Sequence, residues 1–210
     1  TTTDKKLATL YIAEARALRG MFYFELVRRF GNVVLMTSTQ MSNQNPATYV
    51  QSAPEKVYEY IEDDLLYACD ILPYATDDQY RESNDYRFSK GAALGLLTKV
   101  YATWAGYPVK DESKWEAAAK TARILVESGK HGLLKDYEQL WKNTCNGTWD
   151  PTESLIEISF YSPTVSGNSD PVGRIGKWNG VKTTAIAGVR GSCAANVKVV
   201  HTFVLDWRED

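Results

Sequence analysis

Residues 11–37 read YIAEARALRGMFYFELVRRFGNVVLMT, and the fold follows from how this run is read. Tyr11, Ala15, Leu18, Phe22 and Leu26 recur at spacings of three and four and make one apolar stripe of a helix. Ala13, Ala17, Met21 and Phe24 make a second stripe beside it. A helix apolar over that much of its girth is expected to be packed on two sides. Ala13, Ala15, Ala17 and Gly20 let neighbouring helices come close. The remaining face holds Glu14, Arg16, Arg19, Glu25, Arg28 and Arg29. Glu25 lies within helical reach of Arg28 and Arg29. The arginines are expected to pair with Glu14, Glu25 and carboxylates of the next helix, because half-buried guanidinium groups need carboxylate partners. Gly31 ends the helix, and Val33–Met36 leaves it extended.

Outward from this rod the chain continues as helices. Asp4 to Phe30 is the first. Ser38 to Gln51 is a polar loop broken by Asn43, Asn45 and Pro46. Ser52 and Glu55 have the spacing of a capping box before a second helix, whose Val57, Ile61, Leu65 and Ala68 share a face. Pro73 stops it. Ser89 is placed to cap a third helix, Lys90 to about Gly106, with small residues Gly91, Ala92, Ala93, Gly95 and Ala102. Ser113 and Glu116 form a second capping-box pattern, and the fourth helix runs to Ser128, with Gly129 as its left-handed end. Helices three and four together have about the 34-residue length of a tetratricopeptide hairpin. A short helix starts at Asp136, and 153–160 alternates apolar and polar side chains as a strand or extended segment. Trp104, Trp115 and Trp141, all on helices, are expected to pack against neighbours.

The chain has 210 residues, 44% of them apolar, which suits one globular domain or a piece of a larger one. A formal net charge of -2 offers no basic field for nucleic acid. The three cysteines, Cys69, Cys145 and Cys193, are far apart, form no C-x-x-C pair and read as free thiols. No apolar run approaches the ~20 residues of a membrane span.

The order of residues in the opening run adds what periodicity cannot. Glu14-Ala15-Arg16-Ala17-Leu18-Arg19-Gly20, the aromatic Phe22-Tyr23-Phe24, and Phe30-Gly31-Asn32-Val33-Val34-Leu35-Met36-Thr37 resemble the hallmark segment of the SusD/RagB family, roughly E-A-R-F-L-R-A followed by F-G-D-V-P-L-x-T. Gly20, Asn32 and Val34 depart from that pattern. The run from Pro54 to Pro73 and Glu153–Phe160 resemble two further family segments. The resemblance covers about Tyr11 to Phe160. It implies a mostly α fold, with a tetratricopeptide-like helical scaffold (residues 1–143) and an irregular, loop-rich region with little strand (144–210) in the same SusD-like domain. It implies a non-catalytic cell-surface protein that binds oligosaccharide and delivers it to a SusC-like TonB-dependent transporter. Such a protein is a lipoprotein of the outer membrane, and the chain then reads as an internal fragment with its anchor upstream. The alternative is a tetratricopeptide-type adaptor that binds a protein or peptide.

The residues themselves give no catalytic constellation. Asp63 and Asp64 are adjacent on a helix and diverge, whereas glycoside hydrolysis needs two carboxyl groups about 5 to 9.5 Å apart across a cleft. With only His131 and His201 there is no H-E-x-x-H, and no G-x-S-x-G is present. Arg174–Lys177 lacks the glycine and the Ser/Thr of a phosphate loop, Pro171 and Trp178 standing in their places. Asn146-Gly147-Thr148 fits a glycosylation acceptor and equally a plain turn. For sugar, flat rings pack on C–H faces, and planar amide, carboxylate or guanidinium groups meet the hydroxyls. Tyr161, Arg174, Trp178, Asn179 and Arg190, in the glycine-rich stretch 162–196 and beside it, with Trp149 nearby, are the candidate ligand residues. No cofactor is expected, and calcium at a carboxylate-rich loop is left open.

Overall fold

A computed structural model describes residues 2–38, 43–77, 87–158, 182–184 and 186. The chain divides into one unit of residues 1–158 and a second of 159–210. Five α-helices lie in the first: α1 (Thr2–Phe30), α2 (Pro54–Ile71), α3 (Lys90–Ala105), α4 (Lys114–Glu127) and α5 (Tyr137–Asn146). No sheet occurs among the described residues, so the mostly α expectation holds. After Gly31 turns with a φ of 67°, Val33 pairs with Ser52 in an isolated antiparallel bridge. Residues 153–158 make no strand.

Helix α1 packs chiefly against α2 and α3 against α4, with α2 and α3 in contact between the pairs, which is the arrangement of stacked helix hairpins. One core joins them. Ala13, Ala17, Phe24 and Val27 of α1 meet Val57, Ile61, Leu65 and Ala68 of α2, and these meet Ala93, Leu97, Val100 and Trp104 of α3. Gly20 sets how close α1 and α2 come: a Cβ there would stand 3.3 Å from Cγ of Leu65. Gly91 and Gly95 do the same on the other side of α3, where a Cβ would lie 2.1 Å from Nε2 of His131 and 2.6 Å from Cδ1 of Leu155. The glycines of α3 thus let the segments after α4 and α5 lie directly on its backbone.

The two-sided burial expected of α1 is corrected by the structure. The stripe Ala13-Ala17-Phe24 is buried, and Met21 packs against that core at its edge. Tyr11, Leu18, Phe22 and Leu26 are exposed, as are Ile12 and Phe30, and so is Ala15. Periodicity marks a face as apolar but does not say what covers it. Substituting Leu18 and Phe22 together by glutamate is therefore expected to change unfolding free energy by less than about 1 kcal/mol, since neither ring nor branch enters the core. Urea melts of the variant check this, and a loss of several kcal/mol would show that the stripe is a packed face.

The charged face of α1 pairs internally, as expected. Asp64, fully buried on α2, accepts from Nε of Arg16 at 2.7 Å and from Nε and Nη2 of Arg19, each at 2.7 Å. Arg16 also donates to the Asp63 carbonyl at 3.1 Å. Each guanidinium lies over a ring, Arg16 over Tyr67 at 4.3 Å and Arg19 over Tyr60 at 4.7 Å. The hydrogen bond to Asp64 holds Arg19 above its ordinary pKa against the cost of burial. Glu25 bonds both Arg28 and Arg29. Arg87, just before α3, donates to Glu14 at 3.0 Å and lies over the Tyr11 ring.

Helix ends follow the sequence in part. Ser89 accepts from the Ala92 amide at 3.2 Å, and Gly129 is left-handed at a φ of 63°. The two capping boxes do not form. Ala53 is the N-cap of α2 with Pro54 after it, because the Ser52 backbone is engaged by Val33. Ser113 is helical and its hydroxyl turns back to Asp111 at 2.5 Å. Cys69 is a free thiol, pushed up to about 12 by burial, which keeps it protonated and inert near neutral pH.

Candidate functional site

Acidic side chains are the first place to look for chemistry, and several of those in the first unit are occupied. Asp64 is closed between two arginines. Glu62 accepts from the Tyr101 hydroxyl at 2.7 Å and from the Lys114 ammonium at 3.1 Å. Burial, with this hydrogen bond to a carboxylate, raises the Tyr101 phenol above its ordinary pKa. Glu153 accepts from the Leu134 amide at 2.5 Å, and Asp77 pairs with Lys130 at 2.6 Å. The His131 ring bonds the Thr152 carbonyl through Nδ1 and leans on Tyr74. Among the described residues no group of three or more His, Cys, Asp or Glu could hold a metal ion. None of the described helices is long and apolar enough to cross a membrane.

The open aromatic surface is elsewhere. Helix α5 begins where the Asp136 carboxylate accepts from the Glu138 amide at 2.9 Å. It ends where Gly147, left-handed at a φ of 67°, donates to the carbonyls of Asn143 and Thr144. Within these ten residues Tyr137 and Trp141 sit one turn apart and share a face. Their rings meet edge to face, with centroids 6.2 Å apart and planes at 83°. They remain 71% and 55% exposed. Glu138 and Lys142, the next positions round the helix, form an ion pair at 2.8 Å. Trp141 was expected to pack against a neighbouring helix, and so was Trp115; the structure corrects both, Trp115 being 53% exposed. The sequence held a signal for Trp141: its helix is short, ten residues.

Of the candidate ligand residues, Trp149 is inside the protein, 8% exposed, three positions after α5. Tyr161, Arg174, Trp178, Asn179 and Arg190 lie outside the described residues.

Similarity to known proteins falls on the same elements. A family profile described as SusD-like, starch-binding associating with outer membrane, matches residues 2–102, which hold α1, α2 and most of α3. A SusD-like protein of Bacteroides ovatus is 29% identical over 182 residues, covering 81% of this chain and 32% of its own length. A solved structure determined with xylogluco-oligosaccharide is 29% identical with a TM-score of 0.67, over 90% of this chain and 36% of that one. A laminarin-binding SusD-like protein is 31% identical with a TM-score of 0.56, over 73% of this chain and 31% of that one. The chain therefore spans about a third of the length of each relative. The ordered residues of α1, the run of helix hairpins and these matches agree: the chain belongs to the SusD/RagB family.

Proposed function

We propose that the protein binds oligosaccharide at the cell surface and does not transform it. The observation that supports this most is the agreement, over 90% of the chain, with a structure determined with xylogluco-oligosaccharide. A relative of similar identity binds laminarin. The engaged state of Asp64, Glu62 and Glu153 suits binding without acid–base chemistry. In this reading the protein is lipid-anchored in the outer membrane and hands its sugar to a SusC-like TonB-dependent transporter. Tyr161, Trp178, Asn179, Arg174 and Arg190 supply contacts from the second unit, and Trp149 anchors the chain that leads to them.

Calorimetric titration with laminarin, xylogluco-oligosaccharides and starch oligosaccharides tests it. Saturable binding of at least one is expected, with the sugar recovered intact by chromatography. Trp178→Ala is expected to weaken that binding at least tenfold, since a lost stacking contact removes more than about 1.4 kcal/mol. Absence of binding to all three, or hydrolysis of any, would overturn the reading.

A further inference from the structure

We infer that Glu62, Tyr101 and Trp104 form a binding site for a primary ammonium group, and that the protein fills it with its own Lys114. The lysine stands in a poor place for its charge. It is the first residue of α4, where the helix dipole disfavours a cation, and Ser113 makes no side-chain capping bond there. The groups that meet its head account for its position. Both oxygens of Glu62, on α2, accept from Nζ at 3.1 Å. The centroid of the Trp104 ring, on α3, lies 3.9 Å from Nζ, and that of Tyr101, one turn earlier on α3, lies 5.4 Å away.

The walls of the site are held in place without the lysine. Tyr101 donates its hydroxyl proton to Oε1 of Glu62 at 2.7 Å, so one wall orients another. Trp104 is stacked on Tyr58 with centroids 5.2 Å apart and planes at 14°, which fixes its ring. Both rings are buried, and the side chains of Lys114 and Glu62 keep only 18% and 22% of their surface in water. An ion pair in open solvent is loose and screened by salt. A carboxylate set against two aromatic rings is instead the chemistry that recognises ammonium ligands, here with the ligand tethered to the chain. The geometry also selects the cation. Glu62 accepts twice, which asks for two N–H groups on one nitrogen. A primary ammonium has three, whereas a quaternary one has none and satisfies the rings alone. Because Glu62 belongs to α2 and Lys114 to α4, filling the site clamps the second helix hairpin onto the first.

Removing the tether and returning the cation tests this. Lys114→Ala and the parent are titrated with methylammonium chloride, with tetramethylammonium chloride and sodium chloride at equal concentration as controls, and melting is followed by circular dichroism. Methylammonium is expected to raise the melting temperature of the variant saturably, by about 3 °C or more beyond the control salts, and that of the parent by less than about 1 °C. If Lys114→Ala is unfolded without additive, the same titration reads the return of its helical signal. Adding Glu62→Gln to Lys114→Ala is expected to abolish the response. Lys114→Met keeps the stem and loses the charge, and is expected to melt several degrees below the parent. Methylammonium that acts on Lys114→Ala no better than the control salts would overturn the site. So would a Lys114→Met variant as stable as the parent, the ammonium then being an ordinary surface charge.

Discussion

Replacing Asp64 by alanine is expected to destabilise the protein by about 3 kcal/mol or more. The carboxylate is buried and holds both Arg16 and Arg19, with three contacts of 2.7 Å. Breaking a buried pair by removing one partner costs about 3–5 kcal/mol, because the charge left behind has lost its water and its counter-ion. The lower end applies here, since Arg16 and Arg19 keep 29% and 38% of their side-chain surface in water. Asparagine will do little better. It restores shape but not charge, and its amide would point a donor at a guanidinium. Urea unfolding should show a lower midpoint with an unchanged slope, the sign of lost stability in an intact fold. Lowering the charge on both sides, with Arg16 and Arg19 also made leucine, should recover part of the loss, because no orphaned cation then remains. An Asp64→Ala variant as stable as the parent would mean that the arginines reach water freely and that α1 and α2 are held by their apolar faces alone.

That network was legible in outline before any coordinates. Four arginines on one narrow face of a two-faced helix need carboxylates, and the following helix supplies Asp63 and Asp64. Which of the two turns inward is a matter of helix phase relative to Ile61, Leu65 and Ala68. Asp64 lies beside Leu65 on the buried side, whereas Asp63 lends only its carbonyl. The left-handed glycines after α1 and α4 were equally readable, because a residue without Cβ is what such an end requires. The capping boxes misled for a local reason. The pattern names residues that can cap, but Ser52 was already claimed by the bridge to Val33, and Asp111 claimed Ser113. The outer stripe of α1 misled for a global one. Apolar spacing records what a helix can bury, while burial depends on whether another element arrives. The ligand residues proposed from the glycine-rich stretch rest on residue chemistry and not on periodicity, since stacking surfaces have no period, and they lie outside the described residues.

The three tryptophans on helices put the distinction between core and surface to its strongest test. In sequence Trp104, Trp115 and Trp141 look alike, each on a helix among charged and small residues. In the structure only Trp104 is buried, at 4% exposure. Its ring stacks on Tyr58 with centroids 5.2 Å apart and planes at 14°. The Lys114 ammonium sits 3.9 Å from its centroid while also bonding Glu62, so one ring joins α2, α3 and α4. Trp104→Ala should therefore cost about 3–5 kcal/mol, the transfer of a large ring plus the cavity it leaves. In a chain of this size that corresponds to a fall on the order of 10 °C in melting temperature. Trp104→Phe should cost clearly less. It keeps the stack and drops an indole N–H that is buried without an acceptor. Trp115→Ala and Trp141→Ala should each stay within about 1 kcal/mol of the parent, because their rings touch little protein. Thermal melts of the four variants decide it. Equal losses for Trp104, Trp115 and Trp141 would mean that all three are packing residues, and that the exposure of a ring says nothing of its share in stability.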